Sequence, residues 1–180
     1  MEIGLKVTSQ LIIEKFPIIR PFRFIEKIIS VDGKAIIGAY TFNKDSFFYD
    51  GHFANNPVTP GSIIQESAAQ IGLVAFGMYL LGNGLEEASA IMGEEILDKI
   101  IHVPAFEVGN LKVRFYLVSS DLVFKKIVLP GDTIFIHSQK IHFRLNKLKC
   151  NIQVLDEANN IVAKGIMAGM VNIENTIKND

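Results

Sequence analysis

The run GSIIQESAAQIGLVAFGMYLLG, Gly61 to Gly82, limits what this chain can fold into more than any other stretch. Pro60-Gly61 opens it and Gly82-Asn83-Gly84 closes it, the punctuation of a helix of about 20 residues. Apolar residues occupy nearly every side, and such a helix has to be covered over most of its circumference. Gln65, Glu66, Ser67 and Gln70 interrupt its first half, so no window of about 18 residues is free of polar groups. A buried central helix is predicted, not a membrane span.

The flanking pattern says what covers it. Phe22 to Ser30 and Lys34 to Asn43 are rich in strand formers, and Val31-Asp32-Gly33 joins them as a hairpin. Beyond the irregular stretch Lys44 to Thr59 and the helix, strands are predicted at Leu111 to Ser119, Leu122 to Val128, Thr133 to Phe143, Lys147 to Leu155 and Ile161 to Ile173. Turns at Pro130-Gly131-Asp132 and Glu157-Ala158-Asn159-Asn160 separate them. Lys140, His142 and Arg144 alternate with Ile141, Phe143 and Leu145, which reads as a strand with one wet face. Two strands, one long helix and a run of antiparallel strands make an α+β fold with its sheet packed on the helix. One small sheet covers such a helix only by curling round it or by recruiting a second subunit, so a dimer is expected.

Composition narrows the partners. The 180 residues suit one domain, and 49% hydrophobic content is ample for a core. A net charge of −1 argues against generic nucleic-acid binding. Between Leu111 and Lys149, however, eight basic residues (Lys112, Arg114, Lys125, Lys126, Lys140, Arg144, Lys147, Lys149) face two acidic ones, Asp121 and Asp132. That bias is either a solvated strand face or a docking patch for an acidic partner. The single cysteine, Cys150, excludes an internal disulfide, and MEIGLKVTSQLIIEKFP lacks the pattern of an export signal. Both fit a cytoplasmic location.

The chemistry concentrates in FFYDGHFANNPVTPGSIIQESAAQIG, Phe47 to Gly72. His52 lies in a loop and Glu66, 14 residues later, on the apolar helix. An imidazole that titrates near neutrality suits a proton acceptor, and a carboxyl group in apolar surroundings suits a donor. Pro60-Gly61 adds exposed N–H groups at the positive end of the helix, placed to polarise a carbonyl oxygen, and glycine lets a substrate approach closely. A base, an acid and a carbonyl-polarising amide suit proton chemistry alpha and beta to a carbonyl.

This run resembles the active-site segment of the beta-hydroxyacyl-[acyl carrier protein] dehydratases of type II fatty acid synthesis. That pattern is Gly-His-Phe, a short loop, Asn/Asp-Pro-Val-Met-Pro-Gly, and a helix with its acid six residues after the Pro, here Glu66 after Pro60. FRFIEKI, Phe22 to Ile28, is similar to the family's first strand. FYLVSSDLVFKKIVLPGDTIFI, Phe115 to Ile136, is similar to the strand pair and Pro-Gly-Asp turn that follow the helix. The resemblance runs from about Arg20 to Val171.

It implies a hot-dog fold, a curved antiparallel sheet wrapped around a long central helix, in one domain over residues 1–180 with a core of about 20–173. It also implies a homodimer or higher homo-oligomer whose sites each combine one subunit's His with the other's acid. Carried over, His52 removes the C2 proton of a 3-hydroxyacyl thioester, Glu66 protonates the departing 3-hydroxyl, and the Gly61 amide holds the thioester carbonyl. The product is the trans-2-enoyl thioester, in fatty acid or related polyketide-type lipid synthesis. No metal or redox cofactor is called for, because the 4′-phosphopantetheine arm arrives with the substrate. The acyl carrier protein that brings it is acidic, which favours the basic 111–149 stretch as its dock. No nucleic acid or membrane partner is implied.

The departures fall beside the catalytic positions. Thr59 stands for the usual Met, and Ala54-Asn55 for the usual Pro-Gly, which leaves acyl selectivity and loop shape open; Phe53, Pro60 and Thr59 are tunnel or loop candidates. Glu rather than Asp at position 66 points to dehydration without efficient isomerisation. The acidic connection over about 85–110 is longer than in compact members of the family. Competing readings are a hot-dog acyl thioesterase and a non-catalytic acyl-binding or scaffold subunit. His102, His137 and His142 lack partners at metal-ligand spacing, Ser62 lacks a Gly-x-Ser-x-Gly elbow, Glu94-Glu95 reads as a solvated pair and Cys150 as a buried structural thiol.

Overall fold

Asp32 makes the first turn, its carboxylate accepting from the amides of Lys34 at 2.6 Å and Ala35 at 2.8 Å. Asp closes turns of this kind readily, and the two bonds hold its carboxyl below the ordinary range. The structure, a computed structural model, describes residues 7–83 and 111–175. The turn joins β1, Lys27–Val31, to β2, Ala35–Thr41. A short helix α1, Ser9–Glu14, precedes them, its N-terminus capped by the Thr8 hydroxyl. The long helix α2 covers Gly61–Asn83. Four strands follow: β3 (Leu111–Phe124), β4 (Thr133–Arg144), β5 (Lys147–Leu155) and β6 (Ile161–Asn175). All six form one antiparallel sheet in the order β1-β2-β4-β5-β6-β3.

Alternation selects the face that meets α2. Along β5, Leu148, Cys150, Ile152 and Val154 are buried, and Leu148, Ile152 and Val154 each contribute about 1.5–3 kcal/mol of burial. The helix touches β2, β4, β5 and β6 through its middle segment, Gln70–Ala75, which is wound as a π-helix. The wider turn is satisfied from the sheet, where the Ser138 hydroxyl donates to the Gly72 carbonyl at 2.9 Å. Glycine is required there for proximity: a Cβ on Gly72 would lie 2.8 Å from Ile152 Cδ1 and 3.1 Å from Ser138 Cβ. The expected α+β arrangement of a sheet on a central helix is what forms, and 72% of the helix's most apolar window is buried.

Three local expectations are corrected. The first strand begins at Lys27, not Phe22, because the Phe24 N–H and carbonyl are taken by the side chains of Gln70 and Ser67 on α2 and are lost to the ladder. The two strands predicted at Leu111 to Ser119 and Leu122 to Val128 are one strand, β3. A bulge between Leu117 and Ser119 absorbs the irregularity, and β6 is long enough to pair throughout. Gly165 permits that pairing, since a Cβ there would fall 1.8 Å from the Asp121 carbonyl oxygen. The alternation in β4 is also displaced: a bulge between Lys140 and His142 turns Ile141 outward, and Leu145 sits 87% exposed in the β4–β5 turn. The extended connection at about 85–110, with Glu94, Glu95 and His102, lies outside the described residues.

The edges differ in character. Among the described residues β3 pairs only with β6, and along it Tyr116, Leu117, Val118, Val123 and Phe124 are all exposed. A long apolar edge of that kind is a template for pairing with another strand.

Candidate active site

The His52 loop is anchored at both ends by burial. Phe48 and Tyr49, on a 3-10 turn at Phe47–Tyr49, insert among aromatic rings, Phe48 standing edge-on to Phe24 and Phe42. The chain then surfaces at Asp50-Gly51 and presents His52 half-buried, its ring stacked on the exposed Phe53 with centroids 4.4 Å apart. Nδ1 of His52 lies 2.8 Å from the Val58 carbonyl oxygen, and the Val58 amide donates back to the His52 carbonyl at 2.9 Å. A carbonyl only accepts, so Nδ1 carries the hydrogen and the neutral ring keeps its lone pair on Nε2. That assignment is the one a general base needs.

Thr59 follows directly. Its amide donates to the Val128 carbonyl at 2.8 Å, and its hydroxyl lies 2.5 Å from that of Tyr49. Burial pushes the Tyr49 hydroxyl above its ordinary value, against the opposing bond from Thr59. Pro60 caps α2 with its carbonyl, which accepts from Ile63 and Ile64. The Gly61 and Ser62 amides meet no acceptor among the described residues, as expected of a helix's first N–H groups. A Cβ on Gly61 would meet only the Phe124 ring, at an ordinary 3.5 Å, so packing within the chain does not demand glycine there.

Glu66 is half-buried one turn into α2, and its Oε1 accepts from Nε2 of Gln70 at 2.9 Å. The Gln70 amide is fully buried and can be oriented in one way only. The Phe24 N–H must donate to Oε1, at 2.7 Å, so the NH2 group is left for the Phe22 carbonyl at 2.8 Å and for Glu66. Both amide hydrogens are then spent, and Glu66 Oε1 is fixed as an acceptor. Oε2 is the oxygen left free to carry a proton. Sequence reading passed over Gln70; the available signal was a polar residue four positions after Glu66, on the same helical face of an otherwise apolar helix.

No hydrogen bond or ion pair joins His52 to Glu66 within the described residues of one chain. Among those residues no group of three or more His, Cys, Asp and Glu is gathered as a metal site. His137 and His142 lie apart on β4, Ser62 is exposed, and Cys150 is buried with its thiol pushed up to about 11. The basic stretch divides. Lys126 pairs with Asp156, whereas the β4–β5 hairpin sets His142 opposite Lys149 and Arg144 opposite Lys147. None of those four makes an ion pair among the described residues.

Residues 17–164 match the FabA-like domain family. Among curated relatives, the 3-hydroxyacyl-[acyl-carrier-protein] dehydratase FabZ of Anaplasma marginale is 31% identical over 140 residues, covering 76% of this chain and 80% of that one. The protein of the same name from Caldicellulosiruptor saccharolyticus is 32% identical over 154 residues, covering 84% and 89%. Among solved structures, the dehydratase heterocomplex ApeI:P from Xenorhabdus doucetiae superposes with a TM-score of 0.62 at 12% identity, covering 88% of this chain and 89% of that one. A hypothetical thioesterase with coenzyme A from Streptococcus pneumoniae gives 0.51 at 10% identity, covering 81% and 84%. At such identities the structural likenesses speak for the architecture alone, and that architecture is the hot-dog fold.

Proposed function

This chain belongs to the FabA-like domain family, and from that premise we propose that it dehydrates a 3-hydroxyacyl thioester of acyl carrier protein to the trans-2-enoyl thioester. The observation that carries the residue assignment is the His52 tautomer: with Nδ1–H held by the Val58 carbonyl, Nε2 is a base at the mouth of the loop. Nε2 takes a proton from C2. The C2–H electron pair moves toward the thioester carbonyl, whose oxygen is stabilised by the open Gly61 amide at the positive end of α2. As the C2=C3 double bond forms, the C3–O bond breaks and Oε2 of Glu66 delivers the proton that completes water. Proton return from His52 to Glu66 through solvent closes the cycle. The 4′-phosphopantetheine arm enters and leaves with the substrate, so the reading calls for no cofactor of the protein's own.

His52 and Glu66 act together across a homodimer in this reading, one from each chain, joined along the apolar β3 edge. An antiparallel pairing of two β3 strands buries Leu117, Val118 and Phe124 and extends the sheet across both subunits. The cations of the β4–β5 hairpin, which make no ion pair among the described residues, are the part of the 111–149 stretch best suited to an acidic carrier protein, because like charges directly opposite one another cost stability unless a partner neutralises them. The reaction is assigned to the cytoplasm, without isomerisation of the product.

The test is absorbance at the enoyl thioester band with a 2-enoyl or 3-hydroxyacyl carrier-protein substrate. Wild type equilibrates the two, while folded His52→Ala and Glu66→Gln do not. Release of free thiol without hydration would instead identify a thioesterase, and an inert wild type a binding subunit.

A further inference from the structure

We infer that the Tyr49 and Thr59 hydroxyls form a positioning lock for His52, an inference that rests on the acid–base reading above. The two side chains are 6% and 3% exposed, and among the described residues each hydroxyl has the other as its sole partner. They stand at the two ends of the His52 loop and close its neck. The stretch between them lies at the surface: Asp50, Gly51 and Phe53 to Asn56 are exposed, a Cβ on Gly51 would touch nothing, and its backbone bonds, Asn56 to Phe53 and Val58 to His52, stay within the loop. The Val58 carbonyl, which fixes the Nδ1–H and so aims Nε2, is one residue from Thr59. Thr59 is pinned to Val128 through its amide and to the aromatic cluster through Tyr49, whose ring lies 4.5 Å from that of Phe48. The lock therefore transmits the rigidity of the core to the carbonyl that orients the base. Both hydroxyls are buried and engaged with each other, so the pair positions and does not react.

Three variants separate positioning from stability. Tyr49→Phe and Thr59→Val each strand one buried hydroxyl and lower the melting temperature. The double variant strands none, and its melting temperature returns toward that of wild type. A purely structural role predicts that activity returns with it. Positioning predicts that the double variant keeps wild-type KM but loses about tenfold in kcat, since a base misplaced by a fraction of an ångström slows the chemical step. Thr59→Ser restores the rate. In parallel, the Nδ1–H proton of His52, read by NMR, is sharp in wild type and broadened by exchange in the double variant. A double variant with wild-type kcat and a sharp Nδ1–H signal overturns the inference. Should wild type be inert, or His52→Ala remain fully active, the acid–base reading fails separately. The NMR signal then decides the lock alone, its broadening supporting it and its persistence refuting it.

Discussion

Replacing Gln70 by methionine removes three hydrogen bonds at nearly constant volume, and the structure says what each is worth. The Phe24 N–H loses its acceptor in a site where Phe24 is 1% exposed, at a cost of about 1–3 kcal/mol. The Phe22 carbonyl loses a donor, but Phe22 is exposed and solvent replaces the bond at little cost. Glu66 loses a donor to a half-buried carboxylate, which water restores in part, for about another 1 kcal/mol. The expected destabilisation is about 2–4 kcal/mol by urea unfolding, a large share of the stability of an ordinary domain. At a temperature where the variant is folded, Glu66 turns freely and kcat for enoyl hydration falls about 10- to 100-fold, with KM nearly unchanged. Destabilisation below about 0.5 kcal/mol would mean the Phe24 amide is not buried as described. A large destabilisation with wild-type kcat would mean that Gln70 fastens the segment before β1 and does nothing for the acid.

Mixing inactive His52→Ala with inactive Glu66→Gln under conditions of subunit exchange regenerates about one quarter of wild-type activity by random pairing, because half the dimers are hybrids with one intact site each; no recovery would place both residues in one chain's site. Reversing the hairpin charges with Arg144→Glu and Lys147→Glu raises KM for carrier-protein substrates about tenfold while leaving that for a short pantetheine thioester unchanged, which steady-state kinetics on the two substrates will show. Cys150 resists thiol reagents at pH 8 until the protein unfolds. Since burial raises its thiol from an ordinary 9.0 to about 11, the unfolded chain releases this proton first as pH climbs. Stability from this group is complete below pH 9 and is lost up to pH 11, by about 2–3 kcal/mol, and Cys150→Ala flattens that part of the unfolding profile.

What could be read in advance was whatever a single residue or a local period determines. Pro60-Gly61 marks the start of α2 because proline and glycine act on their own backbone, and Asp32 marks the first turn because its carboxylate bonds two and three residues ahead. The bulges at Val118 and Ile141 were not legible, since a bulge depends on the partner strand's length and register. For the same reason Ile141, assigned to a buried face by alternation, emerged on the outside, while Leu145 falls beyond the end of the strand in the β4–β5 turn.

The site divides along the same line. The types and spacing of His52, Gly61 and Glu66 were visible because each carries its chemistry in its own side chain or amide. The features that would make them work are long-range and polar. Phe24 reaches Gln70 across 46 positions, and Ser67 reaches the Phe24 carbonyl across 43. These contacts take the hydrogen-bonding groups of a segment whose composition alone favours a strand, so one set of bonds both shortens β1 and orients the Glu66 carboxylate. A sequence rule scored the segment as strand and the helix residue as an interruption in an apolar run. Folding joins the two misreadings into one arrangement, in which the missing ladder bonds at Phe24 are the ones that fix the Gln70 amide and leave Glu66 Oε2 free.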